Sequence, residues 1–97
     1  MSEVILLVSR YSITASGRVQ GVGFRFFVNS QAISYGLTGW VKNLDDGTVA
    51  MEVQGPASKI EAFLASLQEG NRFIRVDGLD RRKLTARLGE HDFRIIN

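Results

Sequence analysis

Cysteine is absent from this chain of 97 residues, and proline and histidine occur once each. Without cysteine there is no disulfide framework, no thiolate zinc site and no thiol nucleophile. His91 stands alone near the C-terminus, without clustered carboxylates, and reads as a solvated surface residue rather than a metal ligand or a base. Charge of one sign is also scarce. Twelve Lys and Arg against ten Asp and Glu leave a formal net charge of +2, far from the dense basic field of a nucleic-acid binder. The late basic residues Arg72, Arg75, Arg81, Arg82, Lys83 and Arg87 are interleaved with Asp77, Asp80 and Glu90, so they read as a solvated edge. Long hydrophobic runs are missing too. Val4-Ile5-Leu6-Leu7-Val8 is too short to span a bilayer and follows Glu3 rather than the basic flank of a signal peptide. We therefore expect a cytoplasmic protein with no membrane partner and no nucleic-acid partner.

What is present, 44% apolar and 23% charged residues, describes one globular domain with a single core. We assign residues 11–97 to it and leave residues 1–10 as an N-terminal extension of uncertain structure. From Tyr11 to Gly17 apolar and polar residues alternate as in a half-buried strand. The period then lengthens: Phe24, Phe27, Val28, Ala32 and Tyr35 share one helical face, and Gly36 follows as a cap. Leu37 to Asn43 and Thr48 to Gln54 read as strands joined by a tight turn at Asp45-Asp46-Gly47. Pro56 opens a second helix with Ile60, Phe63, Leu64 and Leu67 on one face, closing at Gly70. Strands near Phe73 to Leu79 and Asp92 to Ile96 complete a βαββαβ order with a short final strand. That order suits an α+β sandwich, an antiparallel sheet with both helices on one face.

Two segments carry chemistry. In Gly17-Arg18-Val19-Gln20-Gly21-Val22-Gly23-Phe24-Arg25, a glycine-rich turn precedes an arginine in a helix's first turn. Glycines let successive N–H groups turn toward one point, the helix start adds free N–H groups, and a guanidinium matches two phosphate oxygens at once. The segment is no nucleotide-hydrolase loop, for no Lys-Ser or Lys-Thr pair closes it. Nor is it a dinucleotide fingerprint, because Phe26 stands where the third glycine belongs. Positive charge in a first helical turn opposes the macrodipole, which a bound anion would explain. The second segment runs from Gly39 through Trp40, Asn43 and Gly47 to Gly55.

Together these segments resemble the paired signatures of acylphosphatases, enzymes that hydrolyse the carboxyl–phosphate bond of acyl phosphates. Ala15 departs from the pattern, standing where a larger aliphatic residue is usual. The resemblance implies a ferredoxin-like fold and a small-molecule acyl phosphate substrate. It further implies a phosphate cradle from the backbone of Arg18, Val19, Gln20, Gly21, Val22 and Gly23, with Arg25 binding the phosphoryl group and Asn43 orienting the attacking water. Neither metal nor organic cofactor takes part in that scheme, inorganic phosphate is product and inhibitor, and a monomer is expected. Read singly, Asn43 could serve only the hairpin and Arg25 only a surface ion pair. The alternative to the enzyme is a non-catalytic ferredoxin-like module that binds phosphate or RNA.

Overall fold

In β1 (Val8–Arg18), Ile13 and Ala15 are fully buried while Ser12 and Thr14 stay partly exposed, the period-two signature of a sheet covered on one face. The computed structural model describes residues 7–97. β3 (Val49–Pro56) repeats the pattern, with Val49, Met51 and Val53 buried. The register puts Ile13 opposite Met51, and Met51 opposite Val41 of β2 (Thr38–Asn43), so one buried apolar row crosses three antiparallel strands. Onto this face pack α1 (Phe24–Ser34), through Phe24, Val28 and Ala32, and α2 (Ala57–Glu69), through Ile60, Phe63 and Leu67. The helices touch each other and share a single core with the strands. Phe27, Tyr35 and Leu64 flank that core half-buried, as the helical spacing predicts.

The sheet order is β4-β1-β3-β2-β5, with β4 spanning Arg75–Leu84 and β5 spanning Phe93–Ile96. The fold is the expected ferredoxin-like α+β sandwich with a fifth strand. Three differences from the sequence reading have physical causes. β1 begins at Val8, so three residues assigned to the extension continue the first strand; Met1 to Leu6 lie outside the described residues. β4 begins at Arg75 and runs five residues beyond the expected end at Leu79. Its charged second half needs no apolar alternation, because among the described residues β4 is the sheet's edge and pairs only with the long β1, as far as Arg10 opposite Leu84. Finally, β5 runs parallel to β2 in an otherwise antiparallel sheet. The chain leaves β4 at the end of the sheet where β2 begins, and the 85–92 connection carries it across to the far edge. The last strand must then ascend alongside β2.

That connection is fastened by a buried arginine. Arg10 is only 2% exposed, and its guanidinium donates to Glu52 Oε1 at 2.9 Å, to Gln54 Oε1 at 3.2 Å and to both carboxylate oxygens of Glu90 at 2.8 and 3.2 Å. Gln54 Oε1 also accepts the Arg87 N–H at 2.7 Å, while its Nε2 donates to the Arg87 carbonyl at 2.9 Å. Two strands of the sheet thus hold a segment that has no regular structure of its own.

Candidate active site

Between β1 and α1 the chain turns through residues 19–23. β1 pairs irregularly with β4 at Ser16/Gly17, and a Cβ on Gly17 would collide with the Arg75 carbonyl and lie 2.8 Å from the Asp77 nitrogen. Glycine is needed there for close approach. Val19 is 1% exposed and Val22 packs half-buried against the core, so two apolar anchors fix the loop while Gly21 and Gly23 stay exposed. Gly23 has φ 79° and caps α1, with open space where a Cβ would stand; conformation, not crowding, requires glycine here. The first internal helix bond runs from Phe27 N–H to the Gly23 carbonyl at 3.0 Å. The N–H groups ahead of it point out of the helix end, and α1 carries no acidic residue in its first turn to meet them.

The loop is braced against the β2–β3 hairpin. Gln20 Nε2 donates to the Leu44 carbonyl at 2.7 Å and to the Thr48 carbonyl at 2.8 Å. The hairpin closes through Leu44 N–H to the Thr48 carbonyl at 2.9 Å, and Asp46 Oδ1 accepts from Thr48 Oγ1 at 2.6 Å and Thr48 N–H at 3.0 Å. The Thr48 hydroxyl, then its backbone amide, hold the Asp46 carboxyl below its ordinary pKa. Asn43 stands at the end of β2, opposite Val49 and one residue before this turn.

A cleft of about 120 Å³ lies where these pieces meet, lined by Val19, Gly21 and Gly23 from the loop, Arg25 and Phe26 from α1, and Asn43 from β2. Arg25 Nη1 donates to the Ile96 carbonyl at 3.2 Å and to Asn97 Oδ1 at 3.1 Å, which leaves Nε and Nη2 without a protein partner among the described residues. Asn43 Oδ1 is buried and has no hydrogen-bond partner among them. A buried, unpaired acceptor costs about 1–3 kcal/mol, so it marks a position meant to meet a donor.

Of the residues singled out in the sequence, Arg25, Asn43, Val19, Gly21 and Gly23 share one cleft. Arg18, Gln20 and Val22 do not line it: Arg18 ends β1, exposed and opposite Arg75, while Gln20 and Val22 face the hairpin and the core. Sequence reasoning missed both the Gln20 brace and the tie from Arg25 to the last two residues. Neither leaves a periodic signal, and each joins segments that only the sheet register makes neighbours. His91 is elsewhere. It lies beside a broader depression of about 520 Å³ between β2 and the 85–92 connection, whose Arg94 donates to Asp92 at 3.1 Å and whose Arg87 lies 4.0 Å from Glu90. Each of its two arginines has a carboxylate neighbour, whereas no carboxylate among the described residues lines the cleft of Arg25 and Asn43. None of the helices described is long and apolar enough to cross a membrane.

Comparison with known proteins bears on the same geometry. The family model described as Acylphosphatase matches residues 11–95. The chain is 43% identical over 90 residues to an acylphosphatase of Clostridium acetobutylicum, covering 93% of this chain and 99% of that protein. It is 46% identical over 89 residues to an acylphosphatase of Geobacillus kaustophilus, covering 92% and 95%. The crystal structure of acylphosphatase from Bacillus subtilis superposes with a TM-score of 0.86 at 37% identity, covering 94% of this chain and all of that one. By family match, sequence identity and fold alike, this chain belongs to the acylphosphatase family.

Proposed function

We propose that this protein hydrolyses small acyl phosphates to a carboxylate and inorganic phosphate in the cleft shared by Arg25 and Asn43. The phosphoryl group sits on the N–H groups at the start of α1 and on the free Nε and Nη2 of Arg25. These donors neutralise charge that builds on the phosphoryl oxygens during displacement. Water donates one O–H to Asn43 Oδ1 and attacks phosphorus in line with the departing carboxylate. The P–O bond to water forms as the P–O bond to the acyl group breaks, and the carboxylate takes the bonding pair. No titratable base lines the cleft among the described residues, so the water's proton passes to a phosphoryl oxygen. A carboxylate leaves readily, so the acid–base pair of a more demanding hydrolysis is not required. Asn43 Oδ1, a buried acceptor without a partner in the cleft that Arg25 lines, is the observation that carries this reading. The same scheme makes the enzyme metal-independent and inorganic phosphate a competitive inhibitor.

The test is phosphate release from benzoyl phosphate in the presence of EDTA, by wild-type protein and by Asn43→Ala. We expect rapid turnover by the wild type and a loss of about 100-fold or more in the folded variant, the usual cost of removing one preorganised group from a reacting site. No hydrolysis by folded wild-type protein would leave a phosphate-binding module instead.

A further inference from the structure

Phe26 occupies a position that packing does not explain. α1 turns Phe24, Val28 and Ala32 into the core, and Phe26, two residues from Phe24, falls on the opposite side of the helix with 71% of its surface exposed. Among the described residues it is the one large, exposed apolar side chain that also lines the cleft of Arg25 and Asn43. A single exposed phenylalanine is ordinary on most protein surfaces. One that adjoins the proposed phosphoryl-binding arginine has a specific opportunity.

Size sharpens it. Pockets that enclose an entire organic ligand run to about 300–1,000 Å³. At about 120 Å³ this cleft is too small for that and accommodates the phosphoryl group alone. In-line displacement also fixes direction. With the attacking water on the Asn43 side, the leaving carboxylate points away from it, so the acyl part of the substrate emerges at the rim. Of the residues lining the cleft, Phe26 is the exposed apolar one available to meet it there. From these placements we propose that Phe26 is the acyl-recognition residue and that its ring selects substrates with an aromatic acyl group over acetyl phosphate. The inference rests on the acylphosphatase reading and extends it to substrate class.

A flat aryl group can lie offset on, or edge-on to, the exposed ring, whereas an acetyl methyl covers little of it. An aromatic pair adds about 2- to 10-fold in affinity beyond simple area burial. The contact is made to a part of the substrate that does not react, so it persists equally in the ground and transition states. It should appear in KM rather than in kcat.

The experiment compares kcat and KM for benzoyl phosphate and acetyl phosphate in wild type, Phe26→Ala, Phe26→Leu and Phe26→Tyr. Folding of each variant is checked by circular dichroism. The benzoyl-to-acetyl ratio of kcat/KM should fall by about 3- to 10-fold in Phe26→Ala, chiefly through the benzoyl KM. Phe26→Leu should fall between, and Phe26→Tyr, which keeps the ring, should retain the ratio. An unchanged ratio in Phe26→Ala, or equal losses on both substrates, would overturn the proposal while leaving the activity in place. Failure of the wild type on both substrates would overturn the acylphosphatase reading, and this proposal with it.

Discussion

Arg25 and Asn43 line the same cleft but are held differently, and the difference separates their roles. Arg25 is tethered through Nη1 alone, to the Ile96 carbonyl and Asn97 Oδ1, so its remaining N–H groups are aimed but uncommitted. Asn43 is fixed by its backbone at the end of β2 and keeps a buried Oδ1 without a partner. An always-charged fork suits an anion, and a neutral acceptor suits a water. Arg25→Gln should therefore lower kcat/KM by about 100-fold or more and weaken competitive inhibition by phosphate in parallel. Asn43→Ala should leave the phosphate inhibition constant close to wild type, because it removes a contact to the water and none to the anion. Inhibition constants measured side by side decide the matter, and equal losses would refute the division. Arg25 stood out in the sequence through the glycine pattern around it, a local signal, whereas the turn after Asn43 marks only a hairpin and the role of Asn43 came from the resemblance to the paired acylphosphatase signatures. Their meeting in one cleft was implied by that resemblance but not by residue spacing, since it depends on strand order.

Among the elements, the β1–α1 loop and the β2–β3 hairpin are separate local structures that Gln20 makes into one site. Its two bonds, to the Leu44 and Thr48 carbonyls, set the distance between the anion cradle and Asn43. In Gln20→Ala both carbonyls keep other donors, Leu44 that of Gly47 at 3.3 Å and Thr48 that of Leu44 at 2.9 Å. The stability cost should then be near 1 kcal/mol, a fall in Tm of about 4–8 °C for a domain of this size. The catalytic cost should be larger, about 10-fold or more in kcat, because a small misplacement of a reacting group is expensive. Phosphate inhibition should persist, as Arg25 and the helix start stay together. A variant with wild-type kcat and only a lower Tm would reduce Gln20 to a structural brace. Legibility at this scale follows the same physics. α1, α2, β2 and β3 each carry one apolar face at a clear period, so their positions could be read directly. β4 could not be read to its end, because an edge strand templated by β1 has no buried face over Asp80 to Lys83 to register in the pattern.

For the whole molecule, the consequential piece is the irregular connection from β4 to β5. It crosses the end of the sheet where Arg10 is buried and delivers β5 to β2, so that Ile96 and Asn97 arrive beside Arg25 at the other end. A salt-bridge network far from the cleft thereby decides where the residues that steady Arg25 are placed. Burial pushes the Glu90 carboxyl up, but hydrogen bonds from Arg10 and Thr38 outweigh it and hold the group below its ordinary value. A carboxylate with a depressed folded pKa contributes stability that is complete above its unfolded value of about 4.3 and is lost as pH falls through the folded one. Glu90→Gln keeps the shape and removes the charge. Because Arg10 retains Glu52 and Gln54, the loss at pH 7 should be about 2 kcal/mol rather than the 3–5 of a fully broken buried pair. The gap between wild type and Glu90→Gln, measured by urea unfolding from pH 7 down to pH 3, should be constant to near pH 5 and then close. A protonated Glu90 carboxyl and the amide that replaces it in the variant present Arg10 with nearly the same neutral group, so the two curves should converge at acid pH. A gap that stayed constant to pH 3 would mean that packing of the connection, not the Arg10–Glu90 charge pair, holds the two edges of the sheet in register.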